Sequence, residues 1–395
     1  MIHFSYHAPT KVVFGKDSIL QCATLLKEHH VHKVLVHYGG SSALRSGLLH
    51  QVCQILQDAD IPYTTLGGVK PNPRLSKVEE GIELVKKEEI DFILAVGGGS
   101  VIDSSKAIAY GCVNEGNLWD YYERKKKVTN ALPVGCIATN AAAGSEMSNS
   151  SVITNENGWL KRGLSSEFGY CQFAILDPTF TYTLPAYQTM SGCTDILMHT
   201  LERYFTKEDT LELFDQFSYA LMKDVIKHSK ILLDDPANYS SRAEILWASE
   251  ASHNGMTGDR TLGDWACHQL EHELSGMFDV AHGAGLAAIW GSWARYVLDS
   301  APQRFAQLAI HVFGIEAGAD VSDTAIQGIE AMESYLKEIG MPTCLSELNI
   351  CLTEEQINEL AEKCCFFHTR TIGGIQKLDY EDIRNIYLLA NKTKA

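Results

Sequence analysis

The stretch Phe92-Ile93-Leu94-Ala95-Val96-Gly97-Gly98-Gly99-Ser100 decides how the chain is read. Five apolar residues without alternation suit a strand buried on both faces of a sheet. The glycines suit a turn out of that strand, and Val101 to Ala109 continues as a helix. Open α/β sheets bind ligands at the carboxyl ends of their strands. Glycine there lets a phosphate approach the backbone, and the next helix N-terminus offers N–H groups and a partial positive charge. The stretch is not the usual dinucleotide fingerprint: read as G-x-G-x-x-G from Gly97, its last position is Ile102. A tight turn without a ligand is the alternative reading of a glycine triplet.

Outward from this stretch the same grammar repeats. Val34 to Tyr38 reads as a strand ending in Gly39-Gly40-Ser41-Ser42, and Leu48, Val52 and Leu56 share one face of the helix that follows. Tyr63 to Leu66 is a second strand leading into Val69-Lys70-Pro71-Asn72-Pro73, then a helix through Val78, Ile82 and Val85. Val134 to Ala138, Val152 to Thr154 and Phe173 to Leu176 are further strand candidates. Such alternation predicts a parallel, Rossmann-like sheet with crossover helices. Beyond Leu176-Asp177-Pro178 the apolar period becomes helical, as in Ile196 to Phe205, Phe214 to Ile226 and Phe305 to Val312. Two domains are expected: residues 1–185, an α/β dinucleotide-binding domain, and residues 186–395, an all-helical metal-binding domain.

Composition excludes some function classes. Lys+Arg is 33 against 49 Asp+Glu, a net charge of −16, which argues against a nucleic-acid binder. The one dense basic run, Arg124-Lys125-Lys126-Lys127, reads as a solvated loop. Eleven cysteines without a CxxC pair read as reduced thiols. No basic leader precedes an apolar run at the N-terminus, and no stretch approaches ~20 apolar residues. The expectation is a soluble, cytoplasmic protein without membrane or nucleic-acid partners.

The turn after Tyr38 bears on the cofactor. An acidic residue at such a strand end would bind an adenosine ribose and repel a 2′-phosphate. Here stand Gly39, Gly40, Ser41 and Ser42, with Arg45 nearby. Small donors and a cation suit a 2′-phosphate, so NADP(H) is favoured over NAD(H).

The helical half carries a second constellation. Asp195 and His199 lie at i, i+4, as do His268 and His272, and His282 follows. On a helix each such pair projects from one face. One carboxylate and three imidazoles make a first shell for a divalent metal, Fe²⁺ or Zn²⁺, with an open coordination position. Cys193 and Cys267 read as packing thiols. A competitor exists: His268-Gln269-Leu270-Glu271-His272 fits H-x-x-E-H, the inverted zinc-protease signature, with Glu271 as base and His268 and His272 as paired zinc ligands.

Together these elements resemble the iron-containing, or group III, alcohol dehydrogenase family over nearly the whole chain. The anchors are Val13-Phe14-Gly15, Val69 to Pro73, Gly97 to Ser100 with Asp103, Gly144-Ser145-Glu146, Leu176 to Pro178 and the histidines. Within the family the chain is most similar to the NADPH-dependent butanol dehydrogenase and aldehyde reductase branch, most specifically over Ala266 to Leu274. The resemblance implies a dehydroquinate synthase-like fold and metal ligands Asp195, His199, His268 and His282. It puts His272 beside the metal as a catalytic residue facing the reacting carbonyl and nicotinamide. Cofactor contacts would come from Gly39, Gly40, Ser41, Ser42, Asn72, Gly98, Gly99, Ser100, Asp103, Thr139, Asn140 and Lys161. Where the family has T-T-A-G-T-G-S-E, this chain has Thr139-Asn140-Ala141-Ala142-Ala143-Gly144-Ser145-Glu146, so two threonine hydroxyls are absent. The expected activity is interconversion of short to medium-chain alcohols and aldehydes by a homodimer. The cofactor and metal would meet at a cleft between the two domains. A metal-dependent lyase or synthase on the same fold, and a non-enzymatic NADPH-binding protein, are the competing functions.

Overall fold

Six strands, all paired in parallel, form the main sheet in the order β1-β8-β5-β4-β2-β3. They are β1 (Lys11–Phe14), β2 (Val34–Tyr38), β3 (Tyr63–Leu66), β4 (Phe92–Gly97), β5 (Val134–Ala138) and β8 (Phe173–Leu176). The computed structural model describes residues 3–207, 210–259 and 261–392, without the side chains of Ser41 and Ser42. The central strands β4 and β5 are buried at every residue, as their unbroken apolar runs require. Helices α1 (Cys22–Glu28), α2 (Ser41–Arg45), α3 (Leu48–Asp58), α4 (Leu75–Lys87), α5 (Gly99–Val113) and α6 (Trp119–Tyr122) alternate with these strands. Phe92 stacks on Phe173 with ring centroids 5.7 Å apart, which joins β4 to β8 through the core.

The strand expected at Val152 to Thr154 lies outside this sheet. It belongs to an antiparallel hairpin, β6 (Ser150–Asn155) with β7 (Leu160–Ser165). The main chain of β6 also bridges to Arg74, so the hairpin covers the Asn72-Pro73 turn.

The remaining helices are α7 (Ala186–Tyr204), α8 (Glu212–Asp234), α9 (Tyr239–His253), α10 (Ala266–Phe278), α11 (His282–Val297), α12 (Pro302–Phe313), α13 (Val321–Glu338), α14 (Glu354–Cys364) and α15 (Tyr380–Ala390). Two compact units result. One comprises Ala8–Leu184 with Ala237–Glu250; the other comprises the residues before Ala8, Pro185–Pro236 and the chain from Ala251 onward. The division expected from sequence was linear, 1–185 and 186–395, whereas most of α9 packs with the α/β unit. Trp247 meets Phe14 edge-on at 5.9 Å, and the Tyr239 hydroxyl accepts from the Lys16 N–H at 3.2 Å. Helical periodicity marks an apolar face but does not say which partner that face meets.

Among the described residues no helix is long and apolar enough to cross a membrane.

Candidate active site

In the α/β unit the chain leaves β2 for β3 on one side and returns to β4 on the other. Such a reversal opens a crevice at the carboxyl ends of the two diverging strands. β2 and β4 are in register at Tyr38 and Val96, so Gly39-Gly40 and Gly97-Gly98-Gly99 come side by side. Gly98 caps α5, and Ser100 lies in its first turn. β5 adds Thr139 and Asn140, because Gly97 pairs with Ala138 and the Thr139 N–H donates to the Gly97 carbonyl at 3.1 Å. A Cβ on Gly98 would sit 3.2 Å from the Asn140 Cβ, while one on Gly40 would meet nothing within 4 Å. The buried Asn140 Oδ1 has no hydrogen-bond partner among the described residues. Ser41 and Ser42 were expected to reach a cofactor through their hydroxyls; those side chains lie outside the described residues.

Asp103 plays a part that the motif alone does not reveal. One carboxylate oxygen accepts from the Ser145 hydroxyl at 2.6 Å and the other from the Val152 N–H at 3.0 Å. Burial pushes its pKa up despite the nearby Lys106. Lys106, fully buried, donates to the carbonyls of Ser145, Ser148 and Ser150 at 2.6, 2.7 and 3.0 Å. These two residues fasten the Gly144 to Val152 segment to α5. Lys161, buried on β7, lies opposite Thr154, whose N–H donates to the Pro73 carbonyl at 2.8 Å. Asn72 precedes that proline with a left-handed φ of 52°. The hairpin therefore gathers Asn72 and Lys161 into one neighbourhood, and Asp103 pins that hairpin to the helix following the glycine turn.

The helical unit holds the other cluster. Helix α7 carries Asp195 and His199, α10 carries His268 and His272, and α11 begins at His282. The Nε2 atoms of His199, His268 and His282 lie 3.4, 3.7 and 3.7 Å from the same atom, Asp195 Oδ1. Ligand atoms of Asp195, His268 and His282 all fall within 4.8 Å of one another. Asp195 Oδ1 and His268 Nε2 have no hydrogen-bond partner among the described residues. Ligand distances of ~2.0–2.2 Å place the corners of a tetrahedron about 3.4 Å apart, so these spacings fit a shared cation. Burying such orphaned polar atoms without one is costly.

Protonation follows from the surroundings. Burial, then the neighbouring His253 and His268, hold the His199 pKa well below its ordinary value, leaving it neutral as a ligand must be. Burial would lower His268 as well, but Asp195 and Glu202 outweigh it and raise the ring to about 9. A metal therefore competes with a proton at His268. Two carboxylates enter here: Glu202, given no role from sequence, and Glu271, read there only as the base of the competing motif. Glu202 Oε1 accepts from both the His268 N–H at 2.8 Å and His268 Nδ1 at 2.9 Å. Glu271 Oε2 accepts from His282 Nδ1, and its Oε1 accepts from the Ser275 hydroxyl. Glu202 stands three residues after His199, a spacing that shares a helix face and was visible in the sequence.

His272 stands one turn beyond His268, with its ring 5.7 Å from that of His282. The inverted zinc-protease pattern requires His268 and His272 to share an ion. The structure instead gathers His268 with Asp195 and His282, and His272 with Glu271 and His282, where Glu271 is engaged by His282 and Ser275.

Comparison with known proteins bears on both halves. The model of the family described as iron-containing alcohol dehydrogenase matches residues 9–178, and its C-terminal counterpart matches residues 189–390. A probable NADH-dependent butanol dehydrogenase of Bacillus subtilis is 38% identical, covering 98% of this chain and 99% of that protein. The NADPH-dependent aldehyde reductase YqhD of Escherichia coli is 34% identical, covering 89% and 90%. The crystal structure of NADH-dependent butanol dehydrogenase A from Thermotoga maritima superimposes with a TM-score of 0.94 at 37% identity, covering 99% of each chain.

Proposed function

We propose, since the chain belongs to the iron-containing alcohol dehydrogenase family, that it reduces short to medium-chain aldehydes to alcohols with NADPH and one bound divalent metal. The observation that carries this reading is the convergence of three imidazole nitrogens on Asp195 Oδ1. Asp195, His199, His268 and His282 would hold the metal. When bound, it supplies Lewis acidity toward a carbonyl oxygen, and the nicotinamide supplies the hydride. The chain's own contribution would be to fix these ligands on three helices, with His272 as the group that holds or moves a proton. In the α/β unit, the glycine turns after β2 and β4 leave the backbone open to a pyrophosphate. The same reading makes the protein a cytoplasmic homodimer.

The preference for NADPH rests on the turn after β2. No carboxylate stands between Gly39 and Ser46, and Arg45 closes α2. The relatives named for NADH favour the opposite preference. Both questions are answered by kcat/KM for ethanal to octanal with each cofactor. The expected result is turnover of several aldehydes, butanal included, with a gradual length dependence, because an apolar pocket separates neighbours by only ~1–3 kcal/mol per methylene. NADPH should be preferred, and Gly39→Asp should shift the preference toward NADH. A wild-type preference for NADH would overturn the cofactor assignment. Failure to consume either cofactor with any simple aldehyde would favour a lyase or a non-catalytic binding protein.

A further inference from the structure

We propose that Glu202 and Glu271 are positioning residues of the metal centre, each fixing through Nδ1 the tautomer and aim of a histidine supplied by another helix. The proposal rests on the metal reading above and extends it to residues that do not touch the ion.

The geometry is the same in two places. Glu202 ends the sequence Asp195-x-x-x-His199-x-x-Glu202 on α7, and Glu271 sits inside His268-x-x-Glu271-His272 on α10. Each carboxylate bonds a histidine carried by another helix. Glu202 of α7 holds His268 of α10, and Glu271 of α10 holds His282 of α11. An ionised carboxylate only accepts hydrogen bonds, so each Nδ1 keeps its proton and Nε2 is the nitrogen left for a metal to take from a competing proton. Those Nε2 atoms are the ones that meet near Asp195 Oδ1. Metal-bound histidines gain basicity and direction from such partners.

Both glutamates are buried where they do this. Glu202 is 3% exposed and Glu271 is 0% exposed. Glu202 Oε1 grips His268 by its ring and its backbone N–H together, which locks the side chain's direction to the start of α10. The loop before α10 is tied to the same point, because the Asp264 N–H donates to the Glu202 carbonyl at 2.8 Å. At Glu271 room is kept by Gly285, where a Cβ would come within 2.8 Å of Glu271 Oε1.

A purely structural role predicts lost stability with an unchanged metal centre, so the test reads the metal directly. Full-length wild type, Glu202→Gln, Glu202→Ala, Glu271→Gln and Glu271→Ala would be loaded with Co²⁺. Its visible absorption spectrum and its Kd, by competition with a chelator, are measured beside the Tm of the metal-free chain. The alanine variants should bind Co²⁺ roughly 10- to 100-fold more weakly with an altered spectrum. The glutamine variants, whose amide oxygen can still accept from Nδ1, should recover part of the loss. In a His282→Ala background, Glu271→Ala should cost no further affinity, because its effect passes through that ring. Wild-type Kd and spectrum in Glu202→Ala and Glu271→Ala would overturn the proposal while leaving the metal reading intact. So would an unchanged spectrum in both glutamine variants, should the alanine forms not fold. Failure of the wild type itself to bind Co²⁺ would instead sink the metal reading, and this proposal with it.

Discussion

At the scale of single residues, a buried carboxylate oxygen ringed by imidazole nitrogens is costly unless a cation joins them. Asp195 pays that cost with His199, His268 and His282 around it. His272 is grouped with Glu271 and His282 and not with Asp195, which predicts a separable role. His272→Ala should keep its metal and lose roughly 10²-fold or more in kcat, as for a displaced proton-transfer group. Metal analysis beside turnover checks this, and a variant that lost its metal would put His272 among the ligands. The ligand candidates were legible because i, i+4 spacing on a helix is a local property of the sequence. Glu202 was not assigned, because its meaning depends on His268, 66 positions further on. Asp103 shows the same limit from the other side. Its motif pointed to a cofactor and did not reveal that its oxygens accept from Ser145 and Val152.

At the scale of elements, the ligands are only as well placed as the helices that carry them. Helix α11 starts at His282, and the next residue, Gly283, lies against the main-chain carbonyl of Ser191 on α7. A methyl group there would overlap that oxygen, and backbone cannot swing aside as a side-chain tip can. Gly283→Ala should therefore destabilise the protein by roughly 1–3 kcal/mol or more and weaken metal binding as the first turn of α11 moves. Urea denaturation and a metal titration on the same variant test both halves; wild-type values in both would show that the contact is slack. Five of the six strands of the main sheet could be read from sequence; the short edge strand β1, with only Val12, Val13 and Phe14 as its apolar residues, was not. Their order could not, since register and neighbours are set by crossovers and not by composition. The hairpin of β6 and β7 and the packing of α9 escaped for that reason.

At the scale of the whole molecule, the fold buries two glutamates that no motif connects. Burial raises the Glu146 pKa to about 7, and burial together with the Glu146 charge raises that of Glu250, with Lys106 partly offsetting both. A carboxyl group whose pKa is raised on folding holds its proton longer in the folded chain than in the unfolded one. Its contribution to stability is complete below the ordinary carboxylate range and is lost as pH rises toward about 7. Glu146→Gln removes that dependence. Its stability relative to wild type should grow between pH 5 and pH 7 and then level off; parallel denaturation curves across that range would contradict the account. Family membership, in turn, unites the two units, since its two matched segments span both the glycine turns and the histidine cluster. The central claim is that this cluster holds one catalytic divalent ion. The most direct measurement titrates metal-stripped protein with Fe²⁺ or Zn²⁺ while recording bound metal per chain and butanal-dependent NADPH and NADH oxidation. One ion per chain, with turnover rising in proportion and both lost in Asp195→Asn, is the predicted result. Full turnover by the metal-free chain, or binding that Asp195→Asn leaves untouched, would contradict it.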